Sequence, residues 1–403
     1  MHTQSQFRLL VVRLGAMGDI LHALPAVTAL RQAHPGWIID WVIEPRWRAL
    51  LAAERNPKDN GSVTGHDFSR AASAPELGWA LAPEGSLPEP SPVSLFSAAS
   101  SSELAYRPNP AQPLVDHIHI APTKAWRKAP LTCNTLREIK TLRRTLRAAN
   151  YDAVIDLQGA IRSAVVARLA GCRRVIGEAE PRERPARRLF TQTVATRGAH
   201  VIEQDLELVS SIAGDDLKPV APWLPADPAA EAWAGALLPP NSPPAVLINP
   251  GAGWGAKRWP PERYGEVAAE LIRRGYRVFA NAGPGEESLV DAIQQAAAGD
   301  AVIPLACTLA QLIAITRRVA LVIAGDTGPL HLACALGRPV VGIYGPTDPS
   351  RNGPFGTSFK VLRSPESRRD HTRNAAPEPG LLTIQPADVL RAAEELLTPE
   401  NAR

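Results

Sequence analysis

The sequence predicts an α/β protein built from two doubly wound parallel sheets, and three observations carry that expectation. From Ala245 onward, short apolar runs alternate with helical stretches: strands at Ala245–Asn249, Tyr276–Asn281, Ala301–Leu305 and Ala320–Ala324, and helices at Pro261–Arg274, Glu286–Ala297 and Leu309–Arg318. Such alternation builds parallel sheets through right-handed crossovers. The chain also begins with a strand (Arg8–Leu14), a glycine turn (Gly15-Ala-Met-Gly18-Asp19) and an amphipathic helix (Ile20–Arg31), so both halves open alike. Its 403 residues exceed what one core usually supports.

Composition narrows the class. With 45% hydrophobic and 21% charged residues the chain is an ordinary globular protein. Cys133, Cys172, Cys307 and Cys334 lack CxxC spacing and fall inside expected elements, so a reducing cytoplasm is expected, without a zinc site or a disulfide framework. No charged-then-apolar leader and no apolar run of spanning length is read, so any membrane contact is expected to be peripheral. The net charge of +4 conceals an asymmetry: Ala121–Asn150 alone carries +7. A one-sided run of that kind is either a solvated helix face or a surface for an anionic partner. Nucleic acid is not expected, because no recognised motif or interleaved aromatic pattern accompanies the charge. An acidic lipid head group fits.

In chain order, a second strand at Ile38–Ile43 and a short helix near Trp47–Glu54 lead into residues 55–113, where nine prolines and ten serines among 59 residues mark an insertion without periodicity. Strands at Asp116–Ile120, Ala153–Leu157 and Arg174–Gly177 alternate with helices at Thr132–Ala149 and Ala160–Ala170, and a helix at His200–Ile212 closes the first domain, 1–217. A proline-rich linker, 218–244, separates it from a second domain, 245–385. A last helix, within 386–403, is expected to pack back on the first domain.

Chemistry gathers at strand ends. Gly325-Asp-Thr-Gly328 follows an apolar strand and precedes a short helix, with Pro329 expected at its first position and Asp326 or Thr327 capping it. His331 lies one turn further. Unpaired N–H groups at such a helix start suit a diphosphate. Taken alone, the same turn also fits a plain structural turn with a core histidine. Asn249–Trp259 formally satisfies G-x-G-x-x-A, yet Lys257-Arg-Trp-Pro-Pro261 delays the helix too far for a dinucleotide pyrophosphate to rest on its first turn. Lys257 is then either the cation of a phosphate loop or a solvated loop charge. Asp19, at a helix start, is an ordinary N-cap as well as a candidate base. No D-x-D carboxylate pair is present to hold a metal on a nucleotide-sugar diphosphate, so Lys257, His331 and the Thr327–Gly328 backbone are expected to meet the leaving group's charge without metal or cofactor.

The ordered set VRLGAMGDILHALPA, YDAVIDLQG, NPGAGWGAKRWPPERY, AGPGEE, GDTGPLH and GPTDP resembles glycosyltransferase family 9, the heptosyltransferases, over nearly the whole chain outside the insertion. The resemblance implies a GT-B architecture, two Rossmann-like doubly wound domains facing across a cleft. It implies inverting transfer of L-glycero-D-manno-heptose from ADP-heptose to the Kdo of a lipid A inner-core acceptor, in lipopolysaccharide biosynthesis. The partners implied are an ADP-sugar donor and an anionic glycolipid, met at the cytoplasmic face of the inner membrane. By the same resemblance Asp19 is the base, Lys257 binds diphosphate, Glu286 binds ribose, Asp326, Thr327, Gly328 and His331 form the donor site, and Trp126, Arg127 and Lys128 form a basic acceptor-side segment. Alternatives from other classes are a transferase for another nucleotide sugar or acceptor, a nicotinamide-dependent oxidoreductase and a non-catalytic lipid-binding protein.

Overall fold

A computed structural model describes residues 6–53, 113–297, 302–369 and 375–397. The insertion 55–113 lies outside these residues except for Pro113.

The first sheet has six parallel strands in the order β3-β2-β1-β4-β5-β6. They are β1 (Arg8–Val12), β2 (Ile38–Ile43), β3 (His117–Ile120), β4 (Ala153–Asp156), β5 (Val175–Glu178) and β6 (Gln192–Val194). The second sheet repeats the pattern as β12-β11-β10-β7-β8-β9. Its strands are β7 (Ala245–Asn249), β8 (Arg277–Asn281), β9 (Val302–Leu305), β10 (Leu321–Gly325), β11 (Val340–Tyr344) and β12 (Phe359–Arg363). Strand order reverses between β1 and β4 in one sheet and between β7 and β10 in the other, so each sheet has one crevice at its carboxyl edge. Covered on both faces, the central strands are apolar apart from their ends (Arg8, Asp156, Asn249) and buried apart from half-buried Arg8.

Helices α2 (Thr123–Lys128), α3 (Cys133–Ala148) and α4 (Ile161–Leu169) cover the outer face of the first sheet, over Leu10, Val12, Val154 and Val175. On its inner face lie α1 (Met17–Ala33) and α5 (Val201–Ala213), against Leu9 and Val11. In the second half α7 (Pro261–Arg273) and α8 (Glu287–Ala296) pack on each other, while α9 (Leu309–Thr316) and α10 (Gly328–Ala335) join the same apolar cluster as α1. Helix α1 is therefore buried almost all round, which explains its weak amphipathic pattern.

Two expectations are corrected, and two edge strands are added. The linker 218–244 holds a helix, α6 (Pro228–Leu237), capped by Asp227, whose side chain accepts from Ala230 N at 2.9 Å. This segment is tied to both halves: Trp223 N donates to Thr28 Oγ1 at 3.1 Å, and Arg317 beside α9 donates to the Leu224 and Pro225 carbonyls at 3.1 and 2.8 Å. The last helix, α12 (Pro386–Leu397), does not return to the first domain; its stripe of Val389, Ala392, Ala393 and Leu396 buries against β10, β11, β12 and α7. After β11 the short α11 (Pro349–Asn352) is followed by β12, an edge strand whose alternation is too shallow to announce itself. Strand β6, three residues long and largely exposed, was missed for a similar reason.

The two halves meet where α1 and α10 begin. A Cβ built on Gly18 would lie 2.9 Å from Cδ2 of His331, and one built on Gly328 would lie 2.7 Å from Met17 Sδ. Glycine at both positions lets the helices approach. Gly18→Ala is the sharper probe, because alanine gains about 1 kcal/mol of helix propensity while the pinned His331 ring has no room for the methyl. Net destabilisation, of roughly 1–3 kcal/mol of overpacking less that gain, is expected as a lower melting temperature; an unchanged or raised one would show that this contact yields.

Candidate active site

At the first crevice β1 ends and the chain turns through Arg13-Leu14-Gly15 into α1. Gln158, just past β4, accepts from Leu14 N at 2.8 Å and Gly15 N at 3.0 Å, and Trp47 Nε1 donates to the Gly15 carbonyl at 2.9 Å. Asp156 shapes the Gln158 turn by accepting from the Gln158 and Gly159 N–H groups and from Ser163 Oγ; burial outweighs these bonds and pushes its carboxyl up to about 6. The scaffold under Asp19 thus comes from three separate segments.

Asp19 is not the N-cap. Ala16 holds that position, and Asp19, three residues on, accepts the Ala16 N–H at 3.2 Å through Oδ2. A Cβ on Gly15 would lie 2.4 Å from that oxygen. The side chain is 33% exposed, with Arg182 Nη1 4.0 Å from Oδ2. Its carboxylate is open to a substrate.

The second crevice lies between the β7 and β10 ends and holds Lys257 and Asp326, whose side chains meet at 2.5 Å with exposures of 11% and 8%. Lys257 Nζ also sits 4.4 Å from the centre of the Trp254 ring. It is therefore an enclosed, oriented cation and not a solvated loop charge. Burial disfavours the Asp326 carboxylate, but the hydrogen bond to His331 and the Lys257 charge outweigh burial and hold it well below the usual range.

Helix α10 starts at Gly328, one residue before the expected position, with Pro329 inside its first turn. Thr327 occupies the N-cap, but its hydroxyl donates to the Gly325 carbonyl at 3.2 Å and makes no cap bond, and Asp326 is engaged elsewhere. Helix geometry leaves the first N–H groups without an intrahelical partner. Glu286 stands at the neighbouring strand end before α8, paired with Arg258 at 3.1 Å and accepting from Gly283 N at 3.3 Å. Gly251 is needed there, because a Cβ would fall 2.0 Å from Glu286 Oε2.

A polar contact crosses between the halves, from His331 to His22. His331 Nε2 meets Asp326 Oδ1 at 3.1 Å, and His331 Nδ1 meets His22 Nε2 at 3.1 Å. An ionised carboxylate only accepts, so His331 carries a proton on Nε2. Burial, then the neighbouring His331 and His200, depress the His22 pKa well below its ordinary value, so His22 is neutral. His200 packs edge-on to His22 at 5.6 Å; its Nδ1 accepts from Ile202 N and its Nε2–H donates to the Gly353 carbonyl at 3.1 Å.

In the segment expected on the acceptor side, Trp126 is 8% exposed and its indole N–H donates to Glu138 at 2.7 Å, which ties α2 to α3. Arg127 and Lys128 are exposed. Glu44, at the end of β2, accepts from Thr123 Oγ1 and from Lys124 N, which fixes the start of α2. Partial enclosure, then Arg46, Arg162 and Arg127 nearby, hold the Lys124 ammonium below its usual range. Glu44 offsets part of this charge, and the four cations together still leave a positive surface that suits an anion.

A family profile described as Glycosyltransferase family 9 (heptosyltransferase) matches residues 139–380. The chain belongs to glycosyltransferase family 9. It is 29% identical over 363 residues to lipopolysaccharide heptosyltransferase 1 of Escherichia coli K12, covering 89% of this chain and 94% of that protein. Among solved structures, E. coli heptosyltransferase WaaC with ADP superposes with a TM-score of 0.69 at 25% identity, covering 96% of this chain and 99% of that one. The same enzyme with ADP-2-deoxy-2-fluoro heptose gives 0.67 at 25% identity with the same coverage. The architecture is GT-B and the protein is a glycosyltransferase of the heptosyltransferase type.

Within this glycosyltransferase, Asp19, Lys257, Asp326, Thr327, Gly328 and His331 gather around the two facing helix starts, Glu286 stands beside them, and Arg127 and Lys128 lie at the carboxyl edge of the first sheet. Sequence reasoning missed His22 and His200 as partners of His331, because a histidine in an apolar helix reads as core. It also missed Arg182, which sits in a proline-rich turn with no period, and the ligation of the Gly15 turn by Gln158.

Because His22 is neutral in the fold, the unfolded chain takes up a proton first as pH falls through about 6.5, and stability is lost on the acid side. One such group contributes a slope of at most about 1.4 kcal/mol per pH unit. His22→Leu should show a shallower loss of stability between pH 7 and 5 in chemical denaturation. Parallel profiles for the two proteins would mean that His22 does not titrate this way.

Proposed function

We propose that this family 9 enzyme moves L-glycero-D-manno-heptose from ADP-heptose to the Kdo of an inner-core lipid A acceptor, with inversion, in lipopolysaccharide biosynthesis. The observation that carries the reading is the approach of α1 to α10: Gly18, the residue before Asp19, lies against His331 of the Asp326-Thr327-Gly328 turn. An acid–base group and an anion-binding helix start are thereby held at one place. The similar E. coli WaaC structures, one with ADP and one with ADP-2-deoxy-2-fluoro heptose, support the donor, and the similarity to lipopolysaccharide heptosyltransferase 1 supports the lipopolysaccharide context.

In this reading the donor diphosphate rests on the α10 N-terminus and the Lys257 ammonium. Lys257 keeps donors beyond the one used by Asp326, so the ion pair aims the cation without exhausting it. Glu286, beside Gly251 and Gly283, takes the ribose hydroxyls. The acceptor hydroxyl oxygen attacks the anomeric carbon, Asp19 takes the hydroxyl proton, and the bond to the diphosphate oxygen breaks with its electron pair leaving on ADP. Charge grows on the leaving diphosphate, where Lys257 and the α10 backbone stabilise it. Exposed Arg127 and Lys128, with Lys124, attract the anionic glycolipid, and the enzyme works at the cytoplasmic face of the inner membrane. Among the described residues no helix is long and apolar enough to cross a membrane.

The test offers the purified protein ADP-heptose, ADP-glucose and UDP-sugars with a Kdo-bearing lipid A precursor and records product masses; transfer from another donor only would sink the sugar assignment. Asp19→Asn should keep the bond from Ala16 N, the fold and ADP affinity, while turnover falls by about 10²–10⁴-fold. Near-normal turnover in the folded variant would remove Asp19 from the chemistry. Lys257→Ala should lower kcat, and Glu286→Ala should act mainly through donor affinity. Equal small effects in calorimetry and kinetics would count against both roles.

A further inference from the structure

The outer layer of the first domain carries a surface that the transfer reaction does not use. Helix α4 packs against both α3 and the helical turn Arg184–Leu189, so the three segments form one layer over the sheet. Helix α3 buries Thr135, Leu142 and Leu146 and exposes Leu136, Lys140, Arg143 and Arg144 along the opposite stripe. Helix α4 exposes Ile161, Val165 and Arg168, and the turn adds Arg187 and Arg188. Among the described residues, none of these six cations has a carboxylate within ion-pair distance. The carboxylates on the same segments are engaged: Glu138 by Trp126 and Asn134, Glu183 by the Ile161 N–H. Those bonds come from neutral donors, so both carboxylates keep their charge, and six cations against two carboxylates leave the layer with a net positive surface.

Apolar residues interleave with that charge. Leu131 (87% exposed), Leu136, Ile161 and Val165 are four of the seven large hydrophobic residues exposed among the described residues. Their position follows from topology. Helix α3 runs into the start of β4 and α4 leaves its end, so the beginnings of both helices lie at the carboxyl edge of the sheet, where α1 places Asp19. Isolated surface leucines need no explanation, but several exposed aliphatic side chains on one layer that also carries these exposed cations mark an interaction site.

We infer that this face docks the enzyme on an anionic bilayer, with Leu131, Leu136, Ile161 and Val165 entering the interfacial region and the arginines and lysine of α3, α4 and the 184–189 turn meeting lipid phosphates. Long cationic side chains with aliphatic side chains between them match a headgroup layer over hydrocarbon. A nucleic acid would draw on the charge but leave the aliphatic side chains without a role, and none of the four is an aromatic that bases could stack on. With the apolar end nearest Asp19, a glycolipid held by its acyl chains presents its sugar to the crevice without leaving the membrane. The biological sense of the face rests on the glycolipid reading, whereas its lipid binding does not.

Flotation of the full-length protein with phosphatidylglycerol/phosphatidylethanolamine vesicles, against phosphatidylcholine vesicles, tests the inference directly. Wild type should float with the anionic vesicles and release as salt rises. Combined Leu136→Ser, Ile161→Ser and Val165→Ser should weaken binding at least tenfold, and combined Arg143→Glu, Arg144→Glu and Arg168→Glu should abolish it. Both variants should keep the wild-type melting temperature and turnover with a detergent-dispersed acceptor. Equal flotation on neutral vesicles, variants that float like wild type, or salt-sensitive binding of polyuridylate without vesicle binding would each overturn the inference. Loss of dispersed-acceptor turnover together with flotation in the variants would do the same, since it marks the residues as structural. A wild type that floats but transfers no heptose would refute the proposed reaction and leave the docking face standing.

Discussion

The close approach of α1 and α10 is the constraint on which the site depends. Two glycines, Gly18 and Gly328, remove the side chains that would keep the helices apart, and the gap closes on His331 and Met17. A continuous path of side chains, Lys257–Asp326–His331–His22, then runs from the donor crevice into the first domain. Each member is buried or nearly so, and each has a partner of the required type. A misfit at any one of them would leave a polar group without its hydrogen bond in a low-dielectric interior, where that loss is large. The polar path thus fixes the geometry of both crevices together, and the apolar cluster shared by α1, α5, α9 and α10 supplies the burial that holds it.

Electrostatics divides the molecule by function. The second crevice is locally balanced, with Lys257 against Asp326 and Arg258 against Glu286, so its charges are oriented by each other. The outer layer of the first domain is unbalanced, and its arginines carry no partner carboxylates among the described residues. A balanced site favours precise placement of a diphosphate; an unbalanced surface favours long-range attraction of an anionic sheet of lipid. The modest net charge of the chain hides both facts, since the average mixes two regions that do different physical work.

The sequence by itself determined the fold class and most of the element order, because parallel strands buried on both faces must be apolar runs, and longer helical stretches, several of them amphipathic, alternate with them. It also supplied the ordered motifs that resemble family 9, and therefore the identities of Asp19, Lys257, Glu286 and Asp326 as candidates. Edge elements escaped it: β6 and β12 pair on one side only, so little apolar patterning is demanded of them. Tertiary structure alone decided the rest. Helix α12 stays on its own sheet because its apolar stripe fits there, and Asp19 sits three residues inside the helix, accepting the N–H of the N-cap Ala16, because Ala16 begins the helix. His22 and His331 are 309 positions apart and meet only when the two sheets close. No local spacing encodes that contact, since it is fixed by where two glycines allow two helices to touch.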